Sequence, residues 1–176
     1  MFLKQISLQN FKCTEDIQLS FTKDEDHICK WTLILGENGT GKSNFLKAVA
    51  LVTAGSNAIG QLLGDANSWI RNGTDSCNIN AILETKKGEE REISLRINKD
   101  SNLSDIIHLN NSSLNLIDSA IDNAQRNYFV VAYGASRRLS DEISVNLEKE
   151  RYGRFNNIKN LFYSSYTFKS LSQLDN

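Results

Sequence analysis

The chain has no proline in 176 residues, where average usage near 5% would give about nine. That reads as compositional drift and carries no function. Histidine is almost as scarce, with only His27 and His108. Neither sits in a ligand-like cluster, which argues against a structural metal centre built on them. Cys13, Cys29 and Cys77 are odd in number and widely spaced, a pattern of reduced thiols in a cytoplasm and not of a disulfide frame. The longest apolar run, Ala48–Ala54, is far too short to span a membrane. The N-terminus alternates polar and apolar residues and has no signal-peptide core. A formal net charge of −1 provides no global field toward nucleic acid or a membrane, so any such contact must come from a local patch or a partner. With 40% hydrophobic and 23% charged residues, the composition is that of a soluble globular domain, long enough to bury a core.

Against these absences stands one dense motif. Gly36-Glu37-Asn38-Gly39-Thr40-Gly41-Lys42-Ser43 fills every fixed position of the phosphate-loop pattern G-x-x-x-x-G-K-[ST]. The apolar, β-prone run Trp31–Leu35 precedes it and predicts a buried strand. Asn44–Val52 follows, with Phe45, Leu46, Val49 and Val52 at helical spacing, which predicts a helix over about 42–54. Gly36, Gly39 and Gly41 permit backbone conformations that a Cβ forbids. The N–H groups from Asn38 to Asn44 can then converge on a β-phosphate at the positive end of the helix. Lys42 offers a mobile charge for the γ-phosphate, and Ser43 a hydroxyl oxygen for Mg²⁺. ATP and Mg²⁺ are the ligands this pattern calls for.

Elsewhere the periodicity predicts strands over 2–9 and 15–22, joined near Lys12–Thr14, and a hairpin over 77–85 and 91–97 with a polar outer face. Residues 55–76 read as a loop with one short helix, 99–112 as polar connection, and 113–125 as helix. Tyr128–Tyr133, ending at Gly134, reads as a central strand of a mostly parallel sheet. Trp31 and Trp69 read as packing residues. Bases at 137–159 are interleaved with Tyr152 and Phe155. A solvated helix and a nucleic-acid contact both remain open there. The aromatic run 162–168 reads as core or as the contact with a second lobe.

Together, Ile6–Lys12 and Leu33–Asn44 resemble the opening of an ABC-type ATPase head of the SMC/RecF-like kind. Trp69–Gly73, Tyr133–Arg138 and Leu161–Tyr163 are similar to the PtuA-like ATPases of bacterial anti-phage (Septu and retron) systems. The resemblance implies an α/β fold: a P-loop NTPase, ABC-type ATPase head, N-terminal lobe with a mixed sheet and an antiparallel β-subdomain. That lobe would cover 1–136, with 137–176 a basic and aromatic segment leading toward a second lobe. It implies nucleotide contacts from Lys12, Gly36, Asn38, Gly39, Thr40, Gly41, Lys42, Ser43 and Asn44, with Lys12 toward the α-phosphate and Lys42 catalytic. Ser136 and Arg137 stand where such heads place a Q-loop, although its usual glutamine is absent and the nearest is Gln125. No signature loop, acidic metal ligand, catalytic glutamate or switch histidine has a match before Asn176, so hydrolysis is expected only of a longer protein. The implied function is ATP binding and hydrolysis controlling an associated HNH-type effector nuclease in phage defence. Head-to-tail dimerisation or higher assembly and contact with nucleic acid go with it, in the cytoplasm and without a membrane. Two other readings stay open: a DNA-repair or chromosome-maintenance head, and a nucleotide sensor without turnover.

Overall fold

The fold was analysed in a computed structural model, which describes residues 1–24, 27–85, 88–122, 130–134 and 154–163. Four antiparallel strands form its main sheet in the order β2-β1-β5-β6. They are β1 (Phe2–Phe11), β2 (Thr14–Ser20), β5 (Ser76–Glu84) and β6 (Glu90–Asn98). A small ribbon pairs β3 (Thr22–Asp24) with β4 (His27–Ile28). Period-2 alternation puts Ile6 and Leu8 of β1, Ile79, Ala81 and Leu83 of β5, and Ile93, Leu95 and Ile97 of β6 on one buried face. The opposite face carries Ser7, Asn80 and Ser94 side by side, linked by hydrogen bonds from Ser94 Oγ to Asn80 Oδ1 (2.8 Å) and from Asn80 Nδ2 to Ser7 Oγ (3.4 Å).

The alternation predicted for residues 2–9 breaks at Lys4. A register shift between Leu3 and Gln5 inserts one residue and reverses the phase, as a bulge does. Phe2 therefore turns outward and Leu3 inward, toward the core. Lys4 itself reaches Glu84 of the adjacent β5 (3.7 Å) and Glu90 of β6 beyond it (2.5 Å).

Helices cover the apolar face. α1 (Lys42–Ala54) is buried at Phe45, Ala48 and everywhere from Ala50 to Ala54, because α2 (Ser56–Leu62) and α5 (Arg154–Phe162) pack on its outer side. Leu46, expected on the buried face, is 44% exposed. A short 3-10 turn, Ala66–Trp69, falls in the stretch read as loop. The supposedly irregular segment 99–112 contains α3 (Leu103–Leu109), whose Asn102 and Asp105 form a capping box. That local device was present in the sequence and outweighs the polar composition. α4 (Asn111–Asp122) carries Leu114 and Ile117 into the core. Asn110, between these two helices, covers the open edge of β6: its Oδ1 accepts from Arg96 N (2.7 Å) and its Nδ2 donates to Arg96 O (2.8 Å). The backbone N–H and C=O of Arg96 are thereby withdrawn from pairing with a foreign strand.

Two expected strands are not seen among the described residues. Residues 31–35 make no ladder among the described residues, and Trp31, Leu33 and Leu35 are 95%, 81% and 80% exposed. A buried parallel strand needs hydrogen-bonded neighbours on both sides, and the described residues supply none. Trp31 is therefore not a packing residue here. The run 128–133 lies partly outside the described residues; within it, Ala132 N donates to Asn157 O (3.0 Å) of α5 and not to a strand.

Cys77 lies at the centre of the sheet, fully buried, and burial pushes its thiol up to about 11 from an ordinary 9.0. The folded protein keeps this proton where the unfolded chain has lost it. Its stabilising effect is complete below about pH 9 and disappears as pH rises toward about 11. Urea unfolding at pH 8 and pH 11 should show about 2–3 kcal/mol of alkaline destabilisation from this group, absent from the Cys77→Ala variant.

Candidate nucleotide-binding site

The site grows from the N-terminus of α1. Gly41 caps the helix at φ +95°, with no side-chain capping bond and no acidic residue in the first turn. The first helical N–H groups and the positive end of the dipole are thus left for an external anion. Gly39, at φ +87°, turns the loop with a conformation that a side chain would resist. A Cβ on Gly36 would meet Thr40 Oγ1 at 2.9 Å. That hydroxyl instead donates to Glu37 O (2.9 Å), closing the loop on itself.

Lys42 leans back across the loop. Its Nζ donates to Gly36 O (2.6 Å) and Glu37 O (2.5 Å) and lies 3.5 Å from Thr40 Oγ1. Two carbonyls and a hydroxyl hold the ammonium against the loop, and none of the three carries a charge to balance it. Asn38 and Ser43 are exposed and Asn44 half-buried. Among residues 36–44, the structure thus gathers the sequence-identified loop into one turn around a single cation.

The end of β1 supplies the wall beside it. Asn10 and Lys12 both have φ +51°, so the chain twists sharply around Phe11. The twist is held by Arg71 N to Asn10 O (2.8 Å), Lys12 N to Trp69 O (2.9 Å), and an antiparallel bridge between Phe11 and Ile70. Cys13 then reaches the loop: its Sγ lies 3.0 Å from the place a Cβ on Gly41 would occupy, and 3.8 Å from Asn44 Nδ2. Lys12 Nζ donates to Ser68 O (2.8 Å) and sits 4.2 Å above the centre of the Trp69 ring, a cation–π arrangement. Burial lowers its pKa, with the Lys47 ammonium adding to the effect. The ammonium expected at the α-phosphate is here stored on an aromatic face. Ser136 and Arg137, the Q-loop positions, lie outside the described residues, as do most of the bases at 137–159.

Sequence reasoning missed Cys13, Ser68 and Arg71. The Trp69–Gly73 segment was visible as a motif, but nothing local says that it folds against the end of β1. No helix among the described residues is long and apolar enough to cross a membrane.

The family follows from the whole chain. The sequence profile of the AAA ATPase domain matches residues 1–175, and the chain belongs to that family. Among characterised proteins it is 28% identical to the Septu protein PtuA of Bacillus mycoides over 92% of this chain and 20% of that protein. It is 31% identical to the DNA replication and repair protein RecF of Rickettsia canadensis over 50% of this chain and 22% of RecF. It is also 31% identical to the chromosome segregation protein sudA of Emericella nidulans, over 87% of this chain and 14% of sudA. A structure of RecF with ATP aligns with 57% of this chain and 25% of that one, at 21% identity and a TM-score of 0.46. The chain spans about a fifth of the length of the Septu PtuA it matches.

Gly41 offers a direct check of this geometry. Gly41→Ala forces a Cβ into a left-handed backbone and against Cys13 Sγ. Thermal unfolding should show a loss of about 1–2 kcal/mol. Combining it with Cys13→Ser should recover less than half, because the backbone strain remains.

Proposed function

We propose that this chain is the ATP-binding first lobe of an ATPase head. The observation that carries the reading is the uncapped, acid-free N-terminus of α1, with Lys42 held against the loop that precedes it by the Gly36 and Glu37 carbonyls. Gly36, Asn38, Gly39, Thr40, Gly41 and Asn44 wrap the phosphates mainly through their backbone. Lys42 follows the γ-phosphate. Lys12 leaves Trp69 to reach the α-phosphate side. Ser43 is exposed at the second helical position, and its hard hydroxyl suits Mg²⁺, which takes few protein ligands beside phosphate and water. The metal, when bound, would neutralise charge on the β- and γ-oxygens. Residues 1–136 form the lobe, and 137–176 lead toward a second one.

In the longer protein, two heads would pair head to tail and trap ATP between them. Hydrolysis would be an in-line attack of water on the γ-phosphate, with Lys42 stabilising the charge that develops. The output would be control of a nuclease partner of HNH type in defence against phage, in the cytoplasm, with nucleic acid as a further partner. Likeness to the Septu protein PtuA over 92% of the chain supports that role over one in repair, since the RecF likeness covers 50%. The sudA match over 87% favours a second reading, a chromosome-maintenance head. A third reading is a sensor that binds ATP and changes its affinity for a partner without turnover.

Isothermal titration should show Mg²⁺-dependent ATP binding by this chain. Lys42→Ala should weaken it about 100-fold, near 3 kcal/mol, with unchanged unfolding temperature. Equal affinity in the two proteins would sink the reading. For the biological role, cells producing the longer protein and its nuclease neighbour should resist phage plaquing, and Lys42→Ala should abolish that resistance. Intact resistance in the variant would rule the defence role through ATP out.

A further inference from the structure

The polar face of the main sheet lies on the far side from α1 and its loop, and its charges are laid out in a pattern. The strand register sets the face in rows. One row runs Asp16, Gln9, Asn78, Arg96 across β2, β1, β5 and β6. The next runs Gln18, Ser7, Asn80, Ser94, and a third Ser20, Gln5, Ile82, Glu92. Asp16 and Arg96 thus stand in the same row at opposite edges, both exposed. Neither has an ion-pair partner among the described residues. Three strand spacings, about 14 Å, keep them from meeting within one molecule.

The two edges also differ in shape. Along β6, Ser112, Ser113 and Leu116 of α4 border the face and enclose with it a groove of about 440 Å³. At the other edge, β2 packs closely on β1 alone among the described elements. One edge is rimmed and the other is open. The interior of the face is already bonded to itself through Ser94, Asn80 and Ser7, so covering it leaves fewer polar groups without partners.

The chemistry narrows the occupant. The three rows carry two acids and one base, which gives a polyanion no attraction. They contain no aromatic ring to stack on, and Ile82 is their single apolar side chain, too little for a lipid surface or an amphipathic helix. What the face does match is itself. A two-fold axis parallel to the strands, between β1 and β5, lays β2 of one copy over β6 of the other. Asp16 then meets Arg96 of the second copy twice, Gln9 meets Asn78, and Gln18 meets Ser94. Each open β2 edge comes to rest beside the other copy's α4 rim. An axis across the strands would instead set rim against rim. Packed sheets stand about 10 Å apart, a gap that an aspartate and an arginine reaching toward each other close.

We propose that this face docks a second copy of the chain, sheet against sheet, through paired Asp16–Arg96 contacts. The pairing is separate from one that traps nucleotide between heads, because α1 and its loop lie on the opposite side of the sheet. Four strands by three rows make a small patch, so the dimer belongs to the weak, concentration-dependent class.

Sedimentation equilibrium of the whole chain without nucleotide, over about 10–500 µM, should show reversible monomer–dimer exchange that weakens in high salt. Asp16→Arg and Arg96→Glu should each weaken it at least about ten-fold, near 1.4 kcal/mol, with unchanged unfolding temperature. Each variant alone places like charges opposite each other at both contacts. Mixed in equal amounts, the two should pair with one another about as well as wild type, since every contact then joins opposite charges. The double variant Asp16→Arg/Arg96→Glu should also dimerise by itself. Rescue in the mixture cannot come from refolding of either chain. A wild type that stays monomeric throughout, an Asp16→Arg variant that dimerises normally, or a mixture without rescue overturns the proposal. None of these outcomes touches the role of the phosphate loop.

Discussion

Trp69 holds the site together. It is 4% exposed and its one polar atom is satisfied, Nε1 donating to Leu63 O at 2.6 Å. Its ring stacks on Phe11 at 5.7 Å between centroids and meets Phe162 at 5.9 Å. Lys12 rests on it. One side chain thus joins the end of β1, the turn after α2, and α5. A buried aromatic with its N–H bonded contributes both area and direction. The direction matters more here: it aims the Asn10–Cys13 corner at the phosphate loop. Truncated, it would leave the corner without an anchor and the buried Leu63 carbonyl without its donor.

The lobe around it is organised so that the loop sits on rigid ground. α1 is buried over most of its length between the sheet and α2 and α5, so its N-terminus cannot drift relative to β1. Buried polar groups are used as fasteners. Asn110 stitches α3 and α4 to the edge of β6. Asp118 of α4 accepts from Ser56 N at the start of α2 (3.0 Å). Thr53 returns its hydroxyl to Val49 O and Ala50 O within α1. Each satisfies a group that would be costly to bury alone. Helices tied to one another and to the sheet present the uncapped end of α1 as a fixed cradle, which is the preorganisation an anion site requires.

Much of this was legible from residue order. The phosphate loop and α1 were visible because their chemistry is local: glycines, a lysine and a helix start within nine residues. The hairpin of β5 and β6 was visible because alternation and a charged turn, Lys86–Glu90, are also local. α3 is signalled by Asn102 and Asp105, three apart, a capping pair that outweighs the polar composition around it. The bulge at Lys4 was not legible, because an inserted residue looks like ordinary alternation until a partner strand exposes the mismatch. Trp31–Leu35 misled for a related reason. An apolar β-prone run says that a strand is affordable, and only neighbours make it one.

By itself, then, the sequence determined that a glycine-rich stretch with the phosphate-loop pattern, Lys42 included, leads into a helix, in an α/β lobe of the AAA ATPase family. Those features depend on contacts between residues close in the chain. Tertiary structure alone decided that Lys12 is stored on Trp69, that Cys13 fills the space where a Gly41 Cβ would stand, and that Arg71 bonds to Cys13 O and Glu15. These pairs lie 28 to 58 positions apart or depend on such pairs. No pattern within one segment encodes them, because they arise only when the sheet brings the end of β1 against the turn that follows α2.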